Sequence, residues 1–385
     1  ASPRSARPAD RRRPPGPAAD WARREGLRHV GHHAALDAAE LGPIDYLFSI
    51  SNLRILPSAL LALPRGAAIN FHDGPLPDYA GVNVPVWALL AGEQTHGVSW
   101  HHMTRAIDGG GIVASETFAI DPGETALSLN TKCFEAGLRS FAILAKRLTA
   151  GIESAVPQGE PPKQRFARAD RPMRAATIDW NRPASEIARL VSALDFGGYR
   201  NPLGCAKTLT SRGLLLVQQV EIAGPGSGAF PGMVVSGGAS PVIATASDNV
   251  RLVRVTDLNG IPIDDAGLTA GERLISVDAE PAATLGALDA AAGLYESWWR
   301  ERLASREPLR LPQFQAPAAA GTHDVGDLEF EQPHSPSHLR ASVIALLARL
   351  ADRTDIAIGH ADPIYRSRIG GVAAWFADYL PLGVD

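Results

Sequence analysis

The sequence is poor in cysteine and has no long hydrophobic run. Its 385 residues include only two cysteines, Cys133 and Cys205, which excludes a disulfide scaffold and a structural zinc site built from cysteines. No apolar run reaches the roughly 18 residues that a membrane-spanning helix needs. Residues 1–20 also lack the pattern of a signal peptide. We therefore expect a soluble cytoplasmic protein.

An excess of charge of either sign is also missing. The chain has 37 Lys and Arg residues against 41 Asp and Glu residues, a net charge of −4. Nucleic-acid-binding proteins usually carry a strong basic patch, so this balance argues against a large nucleic-acid interface. Hydrophobic residues make up 45% of the chain, which excludes a wholly disordered protein.

The first part of the chain has the pattern of an α/β domain. Residues 1–20, rich in Pro, Arg and Ala, are predicted to be a disordered tail. In residues 21–155, short apolar runs alternate with helical segments, which favours an α/β sheet domain. The predicted strands cover residues 44–50, 67–71, 97–103 and 112–120, and the predicted helices cover residues 58–63, 84–91 and 125–150.

The pattern changes after a linker that we place at residues 156–175. Several short strands without helices between them predict a small β-barrel domain over residues 176–265, preceded by a helix capped by Ser185. The barrel strands are predicted at residues 214–222, 233–235, 242–246 and 250–258. We expect residues 266–325 to be a linker with one helix at 287–303, and residues 326–385 to form a separate segment of helix and strand.

The polar residues of greatest interest follow the predicted strand at 67–71. Asn70 and His72 are two residues apart, so their side chains point to the same face of the strand, at the edge where α/β sheets place their ligands. A proline-containing loop, GPLPDYAG, occupies residues 74–81. Asp108 precedes three glycines at a predicted turn between two strands. We expect the amide, the imidazole and the carboxylate to converge.

Such a trio suits acyl transfer to an amine. The amide N–H can stabilise a developing oxyanion, the imidazole can donate to it, and the carboxylate can orient the imidazole and accept a proton. Because no Ser or Cys nucleophile is needed, we expect direct transfer without an acyl-enzyme intermediate. No metal site is predicted, since the His32-His33 and His101-His102 pairs lack clustered carboxylates.

These motifs resemble the 10-formyltetrahydrofolate-dependent formyltransferases. The residues that carry the resemblance are N-x-H at 70–72, the PLPDYAG loop, GVSWHHM at 97–103 and the Asp-Gly turn. The resemblance implies an α/β fold with a Rossmann-like formyltransferase sheet, 10-formyltetrahydrofolate as formyl donor, and Asn70, His72 and Asp108 as catalytic residues. Two loops, residues 52–57 and 104–108, resemble the family's pteridine-facing segments. The contacts implied there are Leu53, Arg54, Leu56, Thr104, Ala106 and Ile107.

The resemblance extends to a particular setting. Residues 178–260 resemble the small C-terminal barrel of methionyl-tRNA formyltransferases, and residues 339–385 resemble part of a condensation domain of nonribosomal peptide synthetases. The loop at residues 74–81 is most similar to formyltransferase domains that begin such synthetases. The implied partners are the folate donor, an aminoacyl-carrier protein and an adenylation domain, with no membrane.

Three functions remain open at this stage. The first is an enzyme that formylates the amino group of a carrier-bound aminoacyl substrate in nonribosomal peptide biosynthesis. The second uses the same chemistry on methionyl-tRNA or on a nucleotide-linked amino sugar; the nearly balanced charge of residues 178–260 disfavours tRNA, as do Gly74 and Ala80, where the family commonly has Ser and tRNA-acting members have Arg. The third is an inactive remnant that acts only as a docking module.

The start of the chain departs from the family pattern. Family members open with a strand, a helix and a second strand, whereas the first 43 residues here offer one possible strand, at 27–30. We therefore expect at least two strands of the sheet to be missing, as in a truncated product or a chain with a misassigned start. Unpaired ladder groups on a buried strand are costly, so we also expect low stability.

Overall fold

The computed structural model describes residues 17–29, 43–159, 164–295, 298–299, 335–353, 356–377 and 379–384. These residues belong to two compact units. The first takes its described residues from Ala1–Pro85, Gln94–Ile120 and Asn130–Phe166, and the second from Val86–Glu93, Asp121–Leu129 and Ala167–Asp385. Within the described residues, no helix is long and apolar enough to cross a membrane.

The first unit contains a four-stranded sheet with the order β1-β2-β4-β5. β1 and β2 are parallel, and β2, β4 and β5 are successively antiparallel. The strands are β1 (Leu47–Ser49), β2 (Ala68–His72), β4 (Thr95–His102) and β5 (Ile112–Ala119). The helices of this part of the chain are α1 (Pro17–Arg24), α2 (Ser58–Leu61), α3 (Val84–Ala91) and α4 (Ala126–Thr149). Most of α3 and the first turn of α4 belong to the second unit. The predicted α/β sheet is confirmed, with boundaries shifted by at most a few residues.

The core of this sheet is formed by one of its faces and α4. Ile69 of β2 and Trp100 of β4 are almost fully buried and pack in one cluster with Cys133 and Leu144 of α4. The indole N–H of Trp100 donates to Ser140 Oγ at 3.0 Å, so the one polar atom of this large side chain is satisfied. This packing fixes β2 and β4 side by side, which matters for the site below.

A small parallel pair of strands contradicts two sequence predictions. β3 (Tyr79–Gly81), predicted to be loop, pairs with β6 (Gln164–Phe166), which lies in the predicted linker. Gly81 has φ of +106°, and a Cβ there would overlap the carbonyl oxygen of Phe166. A three-residue strand after two prolines carries no alternating pattern, so this pairing could not be predicted from the apolar pattern.

The start of the chain also differs from prediction. Helix α1 begins at Pro17, inside the predicted disordered tail, and residues 27–29 of the possible first strand are not in a strand. Within the described residues, β1 pairs only with β2 and stands at the edge of its sheet. We predicted that strands are missing from the first 43 residues. Of these, residues 1–16 and 30–42 lie outside the described residues.

The second unit contains a five-stranded antiparallel sheet with the order β7-β8-β11-β10-β9. Its strands are β7 (Lys207–Thr210), β8 (Gly213–Ile222), β9 (Val234–Ser236), β10 (Val242–Ile243) and β11 (Val250–Thr256), and helix α5 (Ala184–Ala193) precedes them. Residues 271–275 bridge both edges, since Ile275 pairs with Leu209 and Arg273 with Met233. This segment closes the sheet into the predicted barrel. β7 was not predicted, and α5 begins after Pro183, so Ser185 is not its cap.

The remaining described residues pack in the second unit. Helix α6 (Ala279–Gly293) replaces the helix predicted at 287–303, whose last residues lie outside the described part. Further elements are α7 (Pro336–Ala351), β12 (Ile356–His360), α8 (Pro363–Ile369) and β13 (Leu380–Val384), with β12 and β13 antiparallel. Val372 shares a small buried cluster with Leu285 of α6 and Ala175, and the Trp375 indole N–H donates to Thr177 Oγ1 at 2.9 Å. The predicted separate C-terminal segment thus packs against residues 175–177.

Candidate active site

Asn70 and His101 face each other across two neighbouring strands. They are register partners in the antiparallel pair β2–β4, and Asn70 Nδ2 lies 3.2 Å from His101 Nε2. The His101 side chain is buried, with the residue only 2% exposed. The structure therefore places the imidazole of His101 in contact with the side-chain amide of Asn70, a residue named in the sequence analysis.

The other ring nitrogen of His101 determines which atom donates. Nδ1 of His101 lies 2.9 Å from the carbonyl oxygen of His102, which can only accept a hydrogen bond. Nδ1 therefore carries the proton, and in the neutral ring Nε2 is left to accept from Asn70. The amide of Asn70 has two N–H groups, so this contact fixes its orientation and leaves one donor for another acceptor.

Asp108 joins the same cluster through its carboxylate. Oδ1 lies 3.6 Å from His101 Nε2, and Oδ2 accepts the backbone N–H of Gly81 at 2.9 Å. Burial acts to raise the pKa of Asp108, but the contact with His101, the charge of His72 and the Gly81 N–H outweigh it and hold this pKa below its ordinary value. Asp108 is consequently an ionised carboxylate near neutral pH.

Backbone contacts hold Asp108 in place. The residue has φ of +55°, in the left-handed region. Gln158 Nε2 donates to the carbonyl oxygens of Asp108 and Gly110, at 2.7 and 2.6 Å. The turn at Asp108, predicted before the three glycines, is thus held by hydrogen bonds from Gln158, fifty positions later in the chain.

His72 lies beside this cluster rather than within it. Its Nε2 is 2.6 Å from the carbonyl oxygen of Tyr79, so Nε2 carries a proton, and its ring centre is 6.4 Å from that of His101. Within the described residues, no hydrogen bond joins His72 to Asp108; the two interact through charge. Gly74 permits this arrangement, because a Cβ there would lie 2.8 Å from His72 Nε2.

The three residues named from the sequence therefore do not contact one another directly. Asn70 and Asp108 are connected through His101, and His72 lies beside them, held by the Tyr79 carbonyl. The sequence analysis did not assign a role to His101. The signal was its place in the GVSWHHM motif, on a strand that pairs with the one carrying Asn70.

The two predicted folate loops leave the sheet on either side of Asn70. Ser49, the last residue of β1, is the other register partner of Asn70, and the loop at residues 50–57 begins immediately after it. The second loop, residues 103–108, begins immediately after His102 at the end of β4. Both segments thus start from strands that flank Asn70, as a donor site around Asn70 requires.

These loops expose apolar side chains and are held by local hydrogen bonds. In the first loop Asn52 forms a turn, with Oδ1 accepting from Arg54 N and Nδ2 donating to Arg54 O, both at 3.1 Å. Leu53 is 84% exposed, and Arg54 is exposed as well, whereas Leu56 is half-buried. In the second loop Thr104 Oγ1 donates to Ala106 O at 3.0 Å, and Ile107 is half-exposed.

The two histidines of the His101-His102 pair have separate contacts. His102 Nε2 is 3.0 Å from Glu153 Oε1, while His101 faces Asn70 and Asp108. Across the residues that the structure describes, no three His, Cys, Asp or Glu side chains are grouped so that they could hold a metal ion. His32 and His33 lie outside those residues.

A family model matches the first part of the chain. The model described as formyl transferase covers residues 4–142, a little over a third of the chain. The matched range contains the whole cluster around Asn70.

Solved structures with a similar fold share less than a quarter of their sequence with this chain. HypX from Aquifex aeolicus in complex with tetrahydrofolic acid is 19% identical over 60% of this chain and 39% of its own, with a TM-score of 0.47. The N-formyltransferase from Helicobacter canadensis, in complex with folinic acid and dTDP-3-aminofucose, is 18% identical over 61% and 81%, with a TM-score of 0.49. A 4-N formyltransferase from Francisella tularensis is 16% identical over 50% and 77%, with a TM-score of 0.42. The chain spans about two fifths of the HypX structure.

Proposed function

We propose that this chain, whose residues 4–142 match the formyl transferase family model, transfers a formyl group from 10-formyltetrahydrofolate to a primary amine. The observation that carries the proposal is the position of buried His101 against both Asn70 and Asp108. It combines an oriented N–H donor with an ionised carboxylate. The position of the two exposed loops beside Asn70 supports a flat, partly apolar donor such as a pteridine.

Asn70 and Asp108 have complementary roles in this reaction. The donor supplies a formyl group attached to N10 of the folate. Asn70 donates its second amide N–H to the formyl oxygen, where negative charge develops as the amine attacks. Asp108 accepts the proton that the attacking nitrogen loses. The new C–N bond forms as the bond to N10 breaks, and N10 gains a proton, so the products are a formamide and tetrahydrofolate.

The two histidines assist in different ways. His101 accepts from Asn70 and so keeps the amide nitrogen turned toward the cluster. His72, held by the Tyr79 carbonyl, contributes positive charge near the tetrahedral intermediate when it is protonated. Neither imidazole needs to form a covalent bond to the formyl group. Direct transfer is thus consistent with the residues present.

For the acceptor we propose an aminoacyl thioester on a carrier protein, presented by an adenylation and carrier module. The support is the resemblance of residues 74–81 and 339–385 to segments of nonribosomal peptide synthetases. Methionyl-tRNA and a nucleotide-linked amino sugar are the competing acceptors. The chain's net charge of −4 gives little attraction for tRNA.

A competition assay tests both the reaction and the acceptor. The purified chain is incubated with 10-formyltetrahydrofolate and, in turn, an aminoacyl-carrier protein, methionyl-tRNA and a dTDP-amino sugar, and mass spectrometry detects the added formyl group. We expect formylation of the carrier-bound amino acid. Formylation of the sugar or tRNA alone would overturn the acceptor. No transfer to any acceptor, together with no binding of 5-formyltetrahydrofolate, would support the docking-module alternative.

A further inference from the structure

A segment that follows helix α4 runs beside the turn that carries Asp108. We call residues 153–158 the crossing segment; its last residues fall in the linker predicted at 156–175. Ile112, at the start of β5, and Val156 exchange both of their backbone hydrogen bonds, each at 2.8 Å. The crossing segment therefore lies against β5, the strand that begins where the turn ends.

Side chains connect the crossing segment to α4, β4 and β5. Arg147 of α4 donates from Nη1 to the carbonyl oxygen of Val113 at 2.8 Å, and from Nη2 to Ser154 Oγ at 2.6 Å. At the end of β4, His102 Nε2 lies 3.0 Å from Glu153 Oε1. The crossing segment is thus fixed to its neighbours by several contacts that do not involve the turn.

Gln158, at the end of the crossing segment, reaches the turn itself. Its side-chain Nε2 donates to the carbonyl oxygens of Asp108 and Gly110, at 2.7 and 2.6 Å. A side-chain amide nitrogen has two N–H groups, so both donors of Gln158 are used on this turn. One half-buried side chain therefore fixes two peptide groups of the turn relative to the crossing segment.

The backbone conformation of Asp108 requires such support. Its φ of +55° lies in a region that few residues other than glycine adopt, and a conformation of this kind persists only where the surrounding structure holds it. The direction of the side chain depends on that conformation. Oδ2 accepts the Gly81 N–H at 2.9 Å, and Oδ1 lies 3.6 Å from His101 Nε2. If the backbone relaxed to a negative φ, the Cβ would turn and both contacts would be lost.

The neighbours of the carboxylate make its position measurable. Burial acts to raise the pKa of Asp108, but the contact with His101, the charge of His72 and the Gly81 N–H together hold this pKa below its ordinary value. A carboxylate that moved away from these groups would lose the contributions that lower its pKa. The pKa of Asp108 therefore reports whether its side chain is held in place.

We propose that Gln158 is a positioning residue for Asp108, whose two amide hydrogen bonds keep the carboxylate directed at the formyl-transfer site. This inference rests on the proposed function, in which Asp108 accepts the proton that the attacking amine loses. Gln158 acts through Asp108 and needs no contact with the donor or the acceptor. Because the crossing segment has its other contacts with α4, β4 and β5, loss of the Gln158 amide should release the turn without unfolding the domain.

Steady-state kinetics of the full chain test the proposal with Gln158→Ala and Gln158→Glu. Glu has nearly the shape of Gln, but its ionised carboxylate cannot donate to the two carbonyl oxygens. We expect each variant to lower kcat for formyl transfer about 10- to 100-fold, with a smaller change in KM for the donor. Gln164→Ala is the matched control, because Gln164 is exposed on β6, and it should leave kcat within about twofold of the parent.

A double-mutant cycle separates positioning from a general structural role. In an Asp108→Asn background, Gln158→Ala should lower kcat by less than about twofold further, because the carboxylate that Gln158 positions is already absent. Two losses that multiply would overturn the proposal, as would a Gln158→Glu variant with the parent's kcat. Loss of the folded state in Gln158→Ala, seen by circular dichroism, would also overturn it, since the role would then be structural.

A titration of the Asp108 carboxyl group tests the same point without formyl transfer. Carbon-13 NMR of labelled aspartate gives its pKa, and the signal is assigned by its absence in Asp108→Asn. We expect a pKa below the ordinary value near 3.8 in the parent and in Gln164→Ala, and a higher pKa in Gln158→Ala. An unchanged pKa in Gln158→Ala would overturn the proposal. If the parent transfers no formyl group, the proposed function fails, and this titration still shows whether Gln158 positions Asp108.

Discussion

The Asn70 side-chain amide lies 3.2 Å from Nε2 of His101, its partner across two antiparallel strands. Because His101 Nδ1 donates to the His102 carbonyl, the neutral imidazole can only accept from Asn70. A protonated His101 would instead donate to Asp108, and Asn70 would lose its acceptor. The orientation of the Asn70 amide is therefore linked to His101.

Replacement of His101 should reduce the turnover rate more than substrate binding. In His101→Ala the amide of Asn70 loses the acceptor that orients it, and we expect kcat for formyl transfer to fall about 10- to 100-fold, with a smaller change in KM for the donor. Steady-state kinetics provide the measurement. His101→Gln, whose side-chain carbonyl can still accept from Asn70, should recover part of the rate.

His102→Gln is the control for that experiment. His102 neighbours His101 but contacts Glu153 instead, so its replacement should leave kcat within about twofold of the parent. Equal losses in the His101 and His102 variants would mean that the effect comes from general disturbance of β4, and the positioning role of His101 would then be wrong.

The lowered pKa of Asp108 predicts a pH-dependent contribution to stability. A carboxyl group whose pKa is lower in the folded than in the unfolded state stabilises the fold when ionised. Its contribution is complete above the unfolded value near 3.8 and is lost as the pH falls through the lower folded-state pKa. We expect the difference in unfolding free energy between the parent and Asp108→Asn to be constant above about pH 5 and to shrink in acid. Denaturant unfolding from pH 7 to pH 3 measures it, and a difference that grows on acidification would contradict the stated direction of the shift.

The pairing of β3 with β6 makes Gly81 sensitive to substitution. Gly81→Ala must accommodate a Cβ against the Phe166 carbonyl in addition to a left-handed φ, and the Gly81 N–H also binds Asp108. We expect a loss of about 2–4 kcal/mol in unfolding free energy and reduced formyl transfer. Gly123→Ala is the matched control: it also has a left-handed φ, but a Cβ would meet nothing within 4 Å. A loss as large in Gly123→Ala would show that the β3–β6 contact contributes little.

The sequence predicted the sheet of the first unit well, because its strands and helices have clear apolar patterns. Helix α3 was predicted at its observed bounds, and α4 to within one residue at each end. The prediction placed the second-unit helix α6 eight residues too late, since the alanine-rich stretch from Ala279 to Gly293 has little apolar periodicity. Strands β3, β6 and β7 are only three or four residues long, too short to show an alternating pattern.

Only part of the candidate site could be predicted from the sequence, because some of its contacts depend on how the strands pair. Asn70 and Asp108 were named from residue type and motif, and each of them lies against His101. The role of His101 depends on the register between β2 and β4, and a one-residue change in register would turn its side chain to the opposite face. The hydrogen bonds between Gln158 and Asp108 and between His72 and the Tyr79 carbonyl are tertiary contacts, and no local pattern in the sequence predicts them.

The most direct test of the proposed chemistry is the rate of formyl transfer in Asn70→Ala under saturating donor and acceptor. Loss of the N–H aimed at the formyl oxygen should lower kcat about 100- to 1,000-fold, while the affinity for 5-formyltetrahydrofolate, measured by calorimetry, stays within about threefold of the parent. A variant that retains the parent's kcat would contradict the assignment of Asn70 as the group that stabilises the transition state.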